Sequence, residues 1–129
     1  MRILLISDKK ELFDLTKKSI DSEHELIWEN YVSVAGDKFL YADIVILHFT
    51  KFMLQEGILI PFVKIKVKFG DFVPILAIVE GGTPQQLFSV LQLGAYDYVD
   101  ILNQSSDVFK KKIRDILMWK WYLKRYRDT

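Results

Sequence analysis

The chain has 129 residues, half of them hydrophobic, and a formal net charge of only +1, which suits one compact domain of ordinary size over residues 1–129. It contains no cysteine and only two histidines, so a disulfide framework and a thiolate zinc site are excluded and little remains for a histidine-based metal site.

The amino-terminal segment and the hydropathy of the chain predict a cytoplasmic protein without membrane association. Residues 3–6 form an apolar run that is too short for a signal peptide, and Asp8 follows at once. No stretch of the sequence approaches the roughly 18 uninterrupted apolar residues of a membrane span.

The first half of the chain alternates short apolar runs with amphipathic stretches. Asp8 and Glu11 have the spacing of a capping box. We therefore expect Asp8 to cap the first helix by accepting backbone N–H bonds, and a cation-binding role is the alternative. The other predicted elements of this half are strands at residues 3–6, 25–32 and 44–49 and a short helix at 36–41.

Residues 58–69 fit two structures. The segment Val-Lys-Ile-Lys-Val-Lys-Phe at 63–69 alternates with period two and is rich in β-branched residues, which favours a strand. The apolar residues of 58–69 also fit one helical stripe, and adjacent parallel strands need a crossover between them. We predict a helix here.

The second half contains two more strands and two helices. Thr83, Pro84 and Gln86 predict a capped helix start, and Gly94 predicts its end. Strands are predicted at residues 73–79 and 96–102, and either Ser105 or Ser106 begins the last helix. Strict alternation of strands and helices predicts an α/β fold with a parallel sheet.

Four segments resemble, in order and spacing, the receiver domain of bacterial response regulators: residues 2–12, 42–48, 74–80 and 94–99. The last of these, Gly-Ala-Tyr-Asp-Tyr-Val, is close to the family's Gly-Ala-Asp-Asp-Tyr-Leu. The resemblance spans essentially the whole chain. It implies a three-layer (βα)5 flavodoxin-like fold, with a five-stranded parallel sheet of order 2-1-3-4-5 and helices on both faces.

The resemblance also implies that the phosphorylation site is degenerate. In that family an aspartate after the third strand accepts the phosphoryl group, two acids after the first strand help to hold Mg²⁺, and a hydroxyl residue and a lysine bind the phosphoryl oxygens. The corresponding residues here are His48 for the acceptor, Ser7 and Asp8 for the acids, Val79 for the hydroxyl residue and Ile101 for the lysine. Only Asp8 keeps the family's residue type. We therefore expect no catalytic residue, no bound metal and no cofactor.

His48 has several possible roles. It could be phosphorylated, bind a metal or titrate near neutral pH. Because no motif places an acid or a second histidine beside it, we favour a hydrogen-bonded filler without special chemistry.

The candidate interaction residues are Tyr98, on the predicted fifth strand, and four residues of the last helix. Tyr98 matches the family's switch aromatic residue and is either an interface anchor or part of the core.

Residues 105–129 hold eight basic and three acidic side chains, against ten and fourteen in residues 1–104. If helical as far as Tyr126, the last helix would be about 31 Å long, and its end, residues 118–129, would form a basic aromatic extension. Its aromatic stripe consists of Trp119, Tyr122, Leu123 and Tyr126.

These features predict a non-enzymatic pseudo-receiver that acts as a signalling or regulatory protein-interaction module, independent of phosphorylation. We expect a homodimer through the last helix, with folding back onto the domain as the alternative. A nucleic-acid-binding output through the basic aromatic helix or a missing effector domain is a second hypothesis, which the low net charge disfavours. A phosphorelay through His48 is the third.

Overall fold

The computed structural model describes residues 1–36, 41–57 and 59–127. Its strands are β1 (Arg2–Ile6), β2 (Glu25–Glu29), β3 (Ile44–Phe49), β4 (Ile75–Val79) and β5 (Asp97–Asp100). Its helices are α1 (Lys10–Ser19), α2 (Tyr31–Ala35), α3 (Lys51–Glu56), α4 (Leu59–Phe69), α5 (Pro84–Gln92) and α6 (Ser106–Arg127). All strand pairs are parallel and the order is β2-β1-β3-β4-β5, which confirms the expected sheet.

The parallel register brings the carboxyl ends of the strands to one edge of the sheet, called the carboxyl edge below. Ile6 lies opposite Leu47, His48 lies opposite Ile78, and Val79 lies opposite Asp100. The turns that follow β1, β3, β4 and β5 therefore meet at this edge, where ligands of open α/β sheets usually bind.

The two faces of the sheet carry separate apolar clusters because successive side chains of a strand point to opposite faces. Helices α2, α3, α4 and α5 cover one face, and Val45, Leu47 and Val79 point into that cluster. Helices α1 and α6 cover the other face, to which Ile46 and Ile78 contribute. This alternation decides which side chains reach the candidate site.

Residues 59–69 form a helix, so the helical prediction is confirmed and the strand alternative is wrong; residue 58 lies outside the described residues. Phe62, Ile65 and Phe69 are buried in the cluster below α4. They recur at helical spacing, and their burial outweighs the β propensity of the alternating segment.

Two helix starts follow their predicted caps. Thr83 and Gln86 form the complete capping box of α5. Ser105 precedes α6, and its Oγ accepts a hydrogen bond from the backbone N–H of Val108 at 3.4 Å. Satisfying these amides fixes where both helices begin.

Other predicted boundaries are corrected. Lys9 rather than Asp8 is the N-cap of α1, without a side-chain cap, because the Asp8 carboxylate is turned towards Tyr31. The second strand ends at Glu29 instead of residue 32, since Asn30 caps the short helix α2 through the N–H of Ser33. The predicted helix at 36–41 falls largely on residues 37–40, outside the described residues. Helix α3, capped by Thr50, was not predicted.

Candidate functional site

A hydrogen-bonded chain of four side chains crosses the carboxyl edge of the sheet. Ser7 Oγ lies 2.8 Å from His48 Nδ1, and His48 Nε2 lies 2.7 Å from Glu80 Oε2. Lys9 Nζ is 2.6 Å from Glu80 Oε1. The four side chains are called the Ser7–His48–Glu80–Lys9 network, and it links the ends of β1, β3 and β4.

The strand alternation places this network on the α1/α6 face. Ser7 follows Ile3 and Leu5, His48 follows Ile44 and Ile46, and Glu80 follows Leu76 and Ile78 at intervals of two residues, all of which belong to the cluster under α1 and α6. The three side chains therefore converge because their strands are neighbours in register.

The donors and acceptors of the network form one consistent set. The Oγ of Ser7 accepts the backbone N–H of Lys9 at 3.0 Å, so its own hydrogen is available to His48 Nδ1. With neutral His48, the Nε2–H then donates to the Glu80 carboxylate. Lys9 donates to the second oxygen of that carboxylate. Every buried polar atom of His48 and Ser7 has a partner.

Burial favours this neutral form of His48. Burial lowers the pKa of His48 below its usual 6.5, although the bond to Glu80 and the charge of Glu80 act in the opposite direction. Burial would raise the pKa of Glu80, but hydrogen bonds from Lys9 and His48 and the charge of Lys9 lower it below its usual 4.5. The carboxylate is thus held ionised beside a lysine cation and a neutral imidazole.

The acid beside His48 is the principal site residue that the sequence analysis missed. No sequence motif placed an acid next to this histidine, whereas the structure places Glu80 there. A signal was present, because Glu80 directly follows the fourth strand and shares the parity of Ile78, which lies opposite His48. Combining strand order with side-chain alternation would have placed it beside His48.

The predicted pocket residues separate into two groups. Ile101 lies with His48, Glu80 and Lys9 along a groove of about 540 Å³, whose apolar walls are Leu12, Leu15, Ile101 and Leu102. Val79 is instead completely buried in the cluster on the opposite face of the sheet, because it is one residue out of phase with Glu80. Val79 and Ile101, which the resemblance assigns to the two phosphoryl-binding positions, therefore lie on opposite faces of the sheet.

Asp8 also lies apart from the network. Its Oδ1 accepts the backbone N–H of Tyr31 at 3.2 Å, and its neighbours in a separate depression are Ser7, Trp28, Glu29 and Asn30. The oxygen donors that would hold Mg²⁺ are not brought together. The Asp8 carboxylate points towards α2, and the Glu80 carboxylate is hydrogen-bonded to His48 and Lys9. The residues present do not fit the near-octahedral oxygen coordination of that ion.

Two aromatic side chains close the carboxyl ends of β1 and β3 from the side of β2. Trp28 Nε1 donates to the Ser7 carbonyl at 2.7 Å, and the Tyr31 hydroxyl donates to the His48 carbonyl. Burial raises the pKa of Tyr31, so this hydroxyl remains a donor. The backbone carbonyl groups of Ser7 and His48 are thereby hydrogen-bonded to side chains of the same domain.

Asp100 fixes the turns on the other side of the groove. Its carboxylate accepts the N–H groups of Gly81 and Leu102 and the side-chain amide of Asn103. Burial would raise the pKa of Asp100, but these hydrogen bonds lower it. Gly81 adopts a φ of +77°, a conformation that favours glycine.

The order serine, histidine, glutamate superficially matches a hydrolytic triad. Ser7 is completely buried, however, and its Oγ is engaged by both Lys9 N–H and the imidazole. It is absent from the groove lining, whereas His48 is present there. The Ser7 Oγ is therefore held by two hydrogen bonds and is not exposed to solvent, and nucleophilic catalysis does not follow from this arrangement.

Tyr98 is half-buried on β5. Its ring packs against the cluster under α5, and Lys112 Nζ lies 5.0 Å from the ring centroid while donating to the Tyr98 carbonyl at 2.6 Å. The ring thus packs in part on the core, and the rest of the side chain remains accessible to solvent.

Helix α6 is one continuous helix of 22 residues, about 33 Å long at 1.5 Å per residue. Lys120 is almost completely buried and donates to the Phe72 carbonyl at 2.6 Å, and Lys124 pairs with Asp43 at 2.8 Å. Both contacts lie beyond the amino ends of β3 and β4, so one side of the extension is attached to its own domain.

The aromatic side of α6 remains open. Trp119, Tyr122 and Tyr126 of the predicted stripe are 46%, 48% and 79% exposed, and Leu123 is half-buried. Trp119 stacks on Tyr96 with ring centroids 6.4 Å apart. The sequence analysis missed Trp121, which is 46% exposed, contacts the Tyr122 ring at 5.2 Å and carries the Arg125 guanidinium 4.6 Å from its centroid. The surface formed by Trp119, Trp121, Tyr122, Arg125 and Tyr126 is called the α6 aromatic surface.

Comparison with solved structures finds the same fold in receiver domains of response regulators. NtrX from Brucella abortus has a TM-score of 0.74 over 98% of this chain at 20% identity, and the match covers 29% of that protein. The signal receiver domain of a DNA-binding response regulator from Colwellia psychrerythraea has a TM-score of 0.69 at 19% identity, covering 92% of this chain and 98% of that one.

A CheY-like protein, TadZ from Pseudomonas aeruginosa, has a TM-score of 0.68 at 15% identity, covering 90% of this chain and 98% of that one. The chain has the receiver fold. No protein-family model and no curated protein sequence matches it. In the described ranges, no helix is both long enough and apolar enough to cross a bilayer. With identities of 20% or less, these receiver-fold similarities establish architecture alone.

Proposed function

We propose that this chain is a receiver-like signalling or regulatory module that works by protein–protein contact and without phosphorylation or catalysis. The observation that carries the proposal is the Ser7–His48–Glu80–Lys9 network. The imidazole of His48 lies at the acceptor position, and both of its nitrogens are hydrogen-bonded. The negative charge of the nearest carboxylate, that of Glu80, is paired with the ammonium group of Lys9.

The surroundings of the network support the same proposal. Ile101 places hydrocarbon at the edge of the groove where the family has a lysine, and a phosphoryl group there would be desolvated without a partner. The cation that is present, Lys9, is already paired with Glu80. A phosphoryl group would have to break this ion pair to enter.

Incubation with acetyl phosphate and Mg²⁺, followed by intact-mass measurement, tests the proposal. We expect no phosphorylated species, whereas a conventional receiver domain treated in parallel should be modified. A stable adduct on this chain would contradict the proposal. If that adduct vanished in a His48→Asn variant but persisted in a His24→Asn control, the phosphohistidine reading would replace it.

We further propose that the α6 aromatic surface binds a second copy of the chain. Trp, Tyr and Arg are the residue types enriched where protein interfaces derive most of their binding energy. Trp121 contacts both the Tyr122 ring and the Arg125 guanidinium, and the opposite side of the helix is already attached through Lys120 and Lys124.

A further inference from the structure

The outer face of α4 carries an apolar stripe. Ile60, Val63 and Val67 are 73%, 44% and 81% exposed, and their spacing of three and four residues places them in one row along the helix. The opposite side of the same helix holds the buried Phe62, Ile65 and Phe69. Helix α4 is therefore apolar on two faces, of which one packs against the sheet.

Lysines border this stripe. Residues 51–69 contain four lysines and one acid, Glu56, whereas the rest of residues 1–104 contains six basic and thirteen acidic side chains. Lys64, Lys66 and Lys68 all lie within α4, which has no acidic residue. A segment of net charge +3 thus stands out on a body that is otherwise acidic, and it is complementary to an anionic surface.

The residue types distinguish a lipid surface from a protein surface. Lysine is depleted in the cores of protein interfaces, where Trp, Tyr and Arg are enriched. Aliphatic side chains bordered by lysines suit a bilayer interface, because lysine stems lie along apolar surface while their ammonium groups reach anionic headgroups. The outer face of α4 has aliphatic residues and lysine but no aromatic residue and no arginine.

We propose that the outer face of α4 is a peripheral binding surface for anionic lipid bilayers. The expectation of no membrane association rested on the absence of a spanning segment, and a surface contact does not need one. Helices α4 and α6 pack on opposite faces of the sheet. Lipid contact through α4 therefore leaves the α6 aromatic surface free for a protein.

Sedimentation with vesicles tests this inference. At low salt we expect the chain to bind vesicles that contain phosphatidylglycerol in phosphatidylcholine and not to bind vesicles of phosphatidylcholine alone. Bound protein should be released as the salt concentration rises. A Lys66→Gln/Lys68→Gln variant should bind roughly 25-fold more weakly, at about fivefold for each basic side chain. The control is Lys110→Gln/Lys111→Gln, which removes two exposed lysines from α6.

An apolar pair of variants separates insertion from simple charge attraction. Ile60→Asp should weaken vesicle binding about tenfold or more, because it removes apolar contact and adds a negative charge. Leu102→Asp makes a similar change at a residue that is 65% exposed on the α1/α6 side, and it should bind as the unaltered chain does. Absence of binding to the anionic vesicles, or equal losses in test and control variants, would overturn the inference and favour an acidic protein partner for α4.

Discussion

His48 is held from both sides of its ring at the carboxyl edge of the sheet, between the Ser7 hydroxyl and the Glu80 carboxylate. A buried polar group with satisfied hydrogen bonds costs little to keep, whereas removing one member leaves the others without partners. This asymmetry makes the network a stabilising unit, and it explains how a polar cluster persists with Ser7 and His48 almost completely buried.

The network predicts a specific dependence of stability on pH. The folded-state pKa of His48 is lowered below 6.5, so the unfolded chain takes up a proton before the folded chain does. Its contribution to stability is complete above pH 6.5 and falls as the pH drops towards the folded-state value. Glu80 has a lowered pKa too, so its contribution is complete above pH 4.5 and falls below it. Acid should therefore destabilise the protein in two stages.

A His48→Asn variant should lose the first stage. We expect its free energy of unfolding at pH 7 to be lower by about 1–3 kcal/mol, because Ser7 and Glu80 lose their buried partner. The difference from the unaltered chain should shrink as the pH falls from 6.5 towards the folded-state pKa of His48. Urea unfolding at a series of pH values measures this. A constant difference across that range would contradict the assignment of a neutral His48, and His24→Gln, at the other end of the sheet, serves as the control.

The sequence was sufficient to predict which residues occupy the positions of the site, but it did not predict where two of the side chains point. The resemblance identified Ser7, His48 and Ile101, and the structure brings these residues to one edge. It could not reveal that Glu80 approaches His48 or that Val79 turns away, because both depend on parity within β4 relative to β3. The aromatic closure by Trp28 and Tyr31 depends on where β2 ends, and that boundary was predicted three residues too late.

At the scale of elements, α6 combines two functions along one helix. Phe109, Ile113 and Ile116 pack on the sheet, and the last turns extend past it while Lys120 and Lys124 attach to Phe72 and Asp43. The predicted length and aromatic character of this helix are confirmed. Helical periodicity alone omitted Trp121, because the open surface is wider than the single stripe of Trp119, Tyr122 and Tyr126.

The α6 aromatic surface predicts which variants weaken self-association. Trp121 contacts both the Tyr122 ring and the Arg125 guanidinium, so Trp121→Ala/Tyr122→Ala should raise the dissociation constant of a dimer at least tenfold. Trp119 is a poorer probe, because it stacks on Tyr96 of its own domain. Sedimentation velocity over a concentration series measures the effect.

A control variant keeps this result interpretable. Phe88 on α5 is 59% exposed, and Phe88→Ala removes a similar apolar area away from α6. It should sediment as the unaltered chain does. If the unaltered chain is already a monomer at every concentration, the dimer proposal fails, and salt-sensitive retention on single-stranded nucleic acid would then favour the alternative use of these rings and basic groups.

At the scale of the whole molecule, one sheet carries two cores. The alternation of strand and helix along the chain predicted a parallel sheet with crossover helices. The strand order and the helices on both faces were implied by the resemblance to receiver domains. The distribution of helices was not predictable at the same level. Within the described residues, four helices share one face and two share the other. The additional helix α3 is a short turn after β3, and its Thr50 cap and single buried residue, Leu54, give a weak periodic signal.

The shared sheet predicts that both cores unfold together. Phe62 is completely buried under α4 and Phe109 is 1% exposed under α6, so replacing either by alanine should lower the free energy of unfolding by about 3–5 kcal/mol. Because β1, β3 and β4 contribute side chains to both clusters, neither face can lose its packing while the strands remain in register for the other. Urea unfolding followed by tryptophan fluorescence and by far-ultraviolet circular dichroism should therefore give coincident single transitions with unchanged m-values for both variants. Separate transitions for Phe62→Ala, in which α6 remains folded after α4 has unfolded, would show instead that the α1/α6 face folds independently. The sheet would then not couple the α4 surface to the α6 aromatic surface.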